Sequence, residues 1–293
     1  MRSSGNRNAS HEDKNQIIGG TLYLVATPIG NLSDISERAL KVLSEVDFVA
    51  AEDTRNSGKL LSYFGISKPM VSYFEHNKRE RGLIILERLK AGESCALVTD
   101  AGTPAISDPG EDLVVLCSEN GVPVTSIPGC SAVVNALALS ALPTGRFCFE
   151  GFLSTNKNER YERLNEIKND TRTTIFYEAP HKLIKTLEDL LSVFGDRKIT
   201  LCRELTKLNE EILRTTISGA LRHYEEISPR GEYVLVVEGC TTPVGENAFW
   251  SDMSIDDHVE YYISRGIKKM DAIKAVAKDR GVSKSEIYKI INT

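Results

Sequence analysis

No apolar stretch of the 293-residue chain approaches the roughly 20 residues that a membrane-crossing helix requires. The first 19 residues lack the apolar centre of a secretory signal and read as a flexible leader. Cysteine occurs only singly, at Cys95, Cys117, Cys130, Cys148, Cys202 and Cys240, with no CxxC pair and no histidine at ligand spacing. Neither a disulfide framework nor a metal site is therefore expected, and the chain reads as a cytoplasmic protein with reduced core thiols. HExxH and GxSxG are absent, which removes common signatures of metal hydrolysis and of a serine triad. GxxxxGK[ST] and GxGxxG are missing as well, so a triphosphate cradle or a conventional dinucleotide site is disfavoured. There is no positive excess either. At a net charge of -5, bulk attraction to a polyanion is disfavoured, and any nucleic-acid contact needs a locally basic surface.

With 41% hydrophobic and 26% charged residues, the chain has material for two globular domains and a small appendage. From Thr21 onward, short β-rich runs alternate with helical spacing. TLYLVAT (21–27), DFVAAE (47–52), VSYF (71–74), CALVT (95–99) and VPVTS (122–126) are separated by segments such as ERALKVLSEV, RGLIILERLKAG and EDLVVLCSENG, and the apolar helix SAVVNALALSAL follows. Around LPTGRF (142–147) the series restarts with FCFEGFL, NERYERLNEIK, TTIFYE, HKLIKTLEDLLSVFG, KITLCREL and GEYVLVVEG. The pattern implies two α/β domains, residues 20–142 and 143–242, with mostly parallel sheets covered by helices.

Residues 250–293 differ in kind. After the linker TTPVGENAFW, three short helical stretches are separated by Gly266 and by Gly281-Val282-Ser283. Tyr261 to Thr293 carries eight Lys/Arg against three Asp/Glu, about +5 on a negative chain. Such a unit suits an RNA-contacting helix-turn-helix and, equally, a solvated helical cap.

Three loops that follow strands share one look: TPIGNLSD (27–34), TDAGTPAISDPG (99–110) and IPGCSA (127–132). In the middle one, Asp108, Pro109 and Glu111 form a capping box that starts a helix. DAGTPA is not needed for that, and Gly102 with Pro104 fixes a concave run of main-chain groups suited to a ligand. In a parallel sheet the three loops gather at one edge, the usual binding crevice. Few charges and many main-chain groups suit a nucleoside-like molecule.

The ordered blocks TPIGNL, AEDTR, TDAGTPAISDPG, PGCSA, EGFL, IFYEAPHKL, RELTK and GEYVLVVEG resemble the ribosomal RNA small subunit methyltransferase I family, part of the tetrapyrrole-methylase-like superfamily. The resemblance implies a two-domain class III S-adenosylmethionine methyltransferase, usually a homodimer, with the donor in the cleft between domains. It implies 2'-O-methylation of a decoding-region cytidine in 16S rRNA of the small ribosomal subunit. It places Asp100, Gly102, Thr103, Pro104 and Ile106 in the donor loop, Pro28 and Gly30 in a first wall, and Ser131 and Ala132 after the PGCSA turn. Tyr177 reaches in from the second domain. Porphyrinoid-methylating relatives usually carry GDP where this chain has Gly102-Thr103-Pro104, a departure that matches the RNA-directed branch.

The chemistry can be argued from the residues too. A ribose hydroxyl is a poor acid, so a carboxylate or a lysine of lowered pKa at the cleft would help as general base. Asp53, Asp100, Glu178 and Lys207 are the candidates, with Asp100 favoured for donor positioning and Asp53 or Glu178 for the acceptor. Three of them have a plainer reading: Asp53 pairs with Arg55, Glu178 caps the helix after Pro180, and Lys207 binds a phosphate. Arg55, Arg203 and Lys207 are the expected contacts along an RNA path, and EGFLSTNKNER reads as a lid or RNA-contacting loop. A small-molecule tetrapyrrole methyltransferase and a non-catalytic metabolite-sensing nucleic-acid binder stand as alternatives on the same architecture.

Overall fold

The computed structural model describes residues 15–241, 250, 252–280 and 282–291. Most of the expected leader (1–14), most of the linker (242–249) and Gly281 of the expected turn lie outside the described residues. Ile17, inside that leader, packs against the first domain's core.

The first half alternates strand and helix as its periodicity dictates: β1 (Leu22–Val25), α1 (Glu37–Glu45), β2 (Phe48–Ala51), α2 (Thr54–Tyr63), β3 (Met70–Ser72), α3 (Lys78–Lys90), β4 (Cys95–Val98), α4 (Gly110–Glu119), β5 (Val124–Ile127) and α5 (Ala132–Leu139). The strands form one sheet in the order β3-β2-β4-β1-β5, and every pairing is parallel. Strands β2 and β4 are buried along their whole length, because two hydrophobic clusters cover the sheet on opposite sides. Ser36 and Asp53 cap α1 and α2 through backbone amides at 3.1 and 2.8 Å.

The second half contains β6 (Phe147–Phe152), α6 (Lys157–Ile167), β7 (Thr173–Glu178), α7 (Leu183–Phe194), β8 (Lys198–Arg203), β9 (Glu211–Thr216), α8 (Ile217–Glu226) and β10 (Tyr233–Val237). Its sheet runs β6-β7-β10-β8-β9. Here the expectation of mostly parallel sheets is corrected. Only β6 and β7 run parallel; β10 is antiparallel to β7 and β8, and β9 is antiparallel to β8. The loop from β8 to β9 contains no helix to carry the chain back across the sheet, so the two strands can pair only as antiparallel neighbours.

Helix α5 belongs to the first half in sequence and to the second in packing. Val133, Ala136 and Leu137 pack with Ile175, Cys202, Val234 and Val236 of the second sheet. The helix's terminal carbonyls are taken by second-domain side chains: Arg214 donates to the Leu139 carbonyl at 2.6 Å and Thr200 to that of Ser140 at 2.8 Å. At the far end of the chain, α9 (Ile255–Ser264), α10 (Lys269–Asp279) and α11 (Lys284–Ile291) close around their own core of Val259, Ile273, Val276 and Ile287.

Candidate active site

The three strand-end loops meet. Thr27 and Gly102 exchange backbone hydrogen bonds at 2.9 and 3.0 Å, and the Thr27 hydroxyl donates to the Thr99 carbonyl at 3.1 Å. Thr103 donates to the Cys130 carbonyl at 2.9 Å and so ties the second loop to the third. Gly102 takes φ +86°, a conformation that a side chain would strain. Asp108 caps α4 through the Gly110 amide at 2.7 Å. Instead of completing a box with Glu111, its carboxylate also accepts from Ala105 and Ile106 amides at 3.0 and 3.2 Å. One carboxylate thus ties three amides of the loop together.

Between this edge and the second sheet lies a cleft of about 530 Å³. The structure brings into its lining Asp100, Gly102, Thr103, Ile106, Ser131, Ala132, Tyr177, Glu178 and Lys207 of the residues singled out in the sequence. Pro28 and Gly30 instead line a neighbouring groove of about 410 Å³ that shares Thr99 and Asp100 with the cleft. A Cβ on Gly30 would meet the Lys207 side chain, the Thr206 hydroxyl at 2.7 Å and the Leu205 carbonyl at 3.0 Å. Gly30 therefore lets the β8–β9 loop close against the first domain. Pro104 lies outside both linings.

The acids are placed unequally. Glu178 is buried, accepting from the Ala179 amide at 2.8 Å and the Thr186 hydroxyl at 2.5 Å. Asp100 accepts from the Asn56 amide group at 3.1 Å. Asp53 lies outside the cleft lining, capping α2 and paired with Arg55 at 2.9 Å. The Arg55 side chain and backbone amide bonds hold its carboxyl down to about 2. Tyr177 closes the far wall, with its ring 4.9 Å from Phe149 and 5.5 Å from Phe152. Burial raises its hydroxyl pKa, and the Val133 backbone at the start of α5 partly lowers it again.

The three cations expected along one path are separated. Arg55 extends into solvent with a side chain 86% exposed. Arg203 lines a different recess, donating to the Arg230 carbonyl at 2.7 Å and to Glu211 at 2.9 Å. Lys207 is in the cleft, held by Glu204 at 2.9 Å and Glu232 at 2.8 Å. Burial lowers its pKa, but the two carboxylates outweigh this and the net shift is upward, so the lysine stays charged and is no base. The EGFLSTNKNER segment runs from the end of β6 through a short turn into the start of α6: Asn156 caps the helix and Arg160 holds the Ser154 and Thr155 carbonyls at 2.9 and 3.3 Å.

Sequence reasoning missed Glu52 and Phe152. Glu52 lines the cleft and accepts from the Thr99 hydroxyl at 3.2 Å. Desolvation raises its pKa, with Asp100, Asp108 and Asp53 adding to the rise. Its signal was its place beside Asp53 in AEDTR, directly after a buried strand. Phe152, 60% exposed on the cleft rim, shows no such signal, since it continues an apolar strand. In sum the cleft carries the carboxylates Glu52, Asp100, Asp108, Glu178, Glu204 and Glu232 against one ammonium, Lys207.

Comparison with known proteins adds a family to this geometry. Residues 21–221 match the family model described as Tetrapyrrole (Corrin/Porphyrin) Methylases. The chain is 50% identical over 272 residues to Ribosomal RNA small subunit methyltransferase I of Halalkalibacterium halodurans, covering 92% of this chain and 94% of that one. It is 46% identical over 271 residues to the Bacillus subtilis protein of that name, covering 92% and 93%. Among solved structures, the fold resembles uroporphyrin-III C-methyltransferase from Thermus thermophilus, complexed with S-adenyl homocysteine. That likeness has a TM-score of 0.53 at 18% identity, covering 74% of this chain and 97% of the other. On the family model and these two relatives, the chain belongs to the ribosomal RNA small subunit methyltransferase I family of the tetrapyrrole methylases.

Proposed function

We propose that this methyltransferase of ribosomal RNA modifies the ribose 2'-oxygen of a cytidine in the decoding region of 16S rRNA. It acts as a cytoplasmic homodimer on the small ribosomal subunit. The methyl donor is S-adenosylmethionine, which supplies an electrophilic methyl group on a cationic sulfur. The observation that carries the reading is the acid-lined cleft at the meeting of three strand-end loops.

That cleft fits the donor on chemical grounds. Its volume of about 530 Å³ lies in the range of small-ligand sites. Its carboxylates complement a sulfonium and an ammonium, and Ile29, Ile106, Ala132 and Val234 offer apolar wall for an adenine. The Ser131 side chain makes no cap bond to α5, so the first amides of that helix can meet a carboxylate.

The chain's own residues then have two tasks. Asp100, Gly102, Thr103, Ile106, Ser131, Ala132 and Tyr177 orient the donor, a contribution of up to about 7–11 kcal/mol when reacting atoms are held in line. An acid must also receive the hydroxyl proton. Of the two assigned to the acceptor, Glu178 lines the cleft, whereas Asp53, held down to about 2, is a weak base. Glu178→Gln is therefore expected to slow single-turnover transfer with donor affinity retained, and Asp53→Asn to have the smaller effect.

The test uses tritium-labelled S-adenosylmethionine with small ribosomal subunits from a strain lacking this gene, followed by nuclease mapping. Label in a single alkali-resistant dinucleotide is expected. Label on neither particles nor free RNA, with donor binding intact, would return the argument to a small-molecule acceptor or a sensor.

A further inference from the structure

The cleft that suits the donor repels the rest of the substrate. Six carboxylates and one ammonium, itself paired with two of them, form its lining. An RNA backbone carries a charge on every phosphate, so only the neutral ribose of a target nucleotide can enter at low cost. The flanking phosphates and bases must be held beside the cleft. The neighbouring groove offers that place, since Thr99 and Asp100 form a wall common to both.

The groove is built by α2. Asn56, Lys59, Leu60 and Tyr63 recur at spacings of three or four residues and so share one face of the helix. Asn56 joins that face to the cleft wall through its bond to Asp100 at 3.1 Å. Lys59 is exposed and meets no carboxylate within salt-bridge distance among the described residues. Tyr63 leaves 67% of its surface in water at the groove, with its ring edge set against Phe64 at 4.9 Å and 87°. An exposed aromatic ring one helical turn from an unpaired ammonium is the pairing that single-stranded RNA readers use, ring for base and cation for phosphate. Pro28 and Leu32 supply apolar floor.

We propose that this groove seats an unpaired nucleotide next to the target ribose, with Tyr63 stacking on its base and Lys59 contacting its phosphate. The assignment rests on the ribosomal RNA reading above. It also gives Pro28 and Gly30 a place at the acceptor rather than at the donor.

Two measurements test it. In the first, methylation of small ribosomal subunits is followed with wild type, Tyr63→Ala, Tyr63→Phe and Lys59→Gln, and calorimetry with S-adenosylmethionine controls for folding. Tyr63→Ala is expected to lower kcat/KM on the order of 5- to 150-fold, Tyr63→Phe to retain most of it, and donor affinity to stay unchanged in all. Lys59→Gln is expected to reduce the salt slope of log affinity by about 0.7. Wild-type kcat/KM in Tyr63→Ala overturns the proposal while leaving the rRNA reading intact. In the second, binding of a fluorescein-labelled single-stranded hexaribonucleotide is followed by anisotropy without donor. If wild type fails to methylate subunits, the rRNA reading falls, and this binding decides the groove alone. Loss in Tyr63→Ala supports it, and equal binding by both proteins overturns it.

Discussion

Glu52 sits where Thr99, Asp100 and Asp108 converge on the cleft, and burial together with the neighbouring acids raises its carboxyl pKa. In the unfolded chain the same group titrates at its ordinary, lower value. Above the folded pKa the native state therefore carries a charge it would shed, and stability falls as pH rises through that interval. Glu52→Gln is expected to raise the thermal midpoint near neutral pH and to leave it unchanged at about pH 3, where the carboxyl is neutral in both states. Because the site is open to water, the gain stays below about 1 kcal/mol. The same substitution removes a charge facing a cationic donor, so S-adenosylmethionine affinity falls several-fold by calorimetry. A midpoint insensitive to the substitution at both pH values would contradict the desolvation argument. Gly30 is a second residue fixed by space. A methyl group there meets the Leu205–Lys207 backbone and side chains, so Gly30→Ala is expected to cost about 1–3 kcal/mol in urea unfolding.

Helices α6 and α7 are joined by a buried acid. The Asp189 side chain, 1% exposed, takes Arg160 at 2.8 Å, the Tyr161 hydroxyl at 2.8 Å and Lys185 at 3.1 Å. Desolvation pushes its pKa up, but these partners outweigh it and hold the carboxyl below its usual range. A depressed acid stabilises the fold above its unfolded pKa, and the contribution is lost as pH falls through the folded value. Arg160→Met is expected to cost about 1–3 kcal/mol at neutral pH, because it leaves a buried carboxylate short of a partner. The difference from wild type should shrink in strong acid; an equal deficit at both pH values would mean lost packing rather than lost charge. Helices such as these were legible from apolar spacing, and the ordered loop blocks pointed to nine of the residues that line the cleft. Strand β9 and helix α8 were not. An edge strand buries little, and β9 has no fully buried residue, so EILRTT shows no apolar run. Strand direction was hidden too, because side-chain period is the same in parallel and antiparallel ladders. Pro28 and Gly30 were assigned to the wall of the cleft because sequence orders the loops without showing which side of Asp100 each one faces.

At the scale of the whole molecule, the division at residues 142–143 cuts sequence more cleanly than structure. Sheets separate there, but α5 lies on the second sheet, and Ile29 of the first loop joins the same cluster as Leu205 and Val234. Arg214 and Thr200 finish the helix by taking its last carbonyls. Removing the second domain would expose Val133, Ala136 and Leu137 together and strip those carbonyls of partners. The two sheets should therefore unfold as one unit. Calorimetry on the full chain is expected to show a single main transition for them, with the calorimetric enthalpy equal to the van't Hoff value, apart from any early melting of the α9–α11 unit, which has its own core. S-adenosylmethionine at about 100 times its Kd should stabilise the two sheets together by about 2.7 kcal/mol and move their transition without splitting it. A donor held by one domain alone would instead separate two transitions, shifting only one of them. Movement of both sheets together would place the binding energy on the contact between domains, where the loops, Tyr177 and α5 meet.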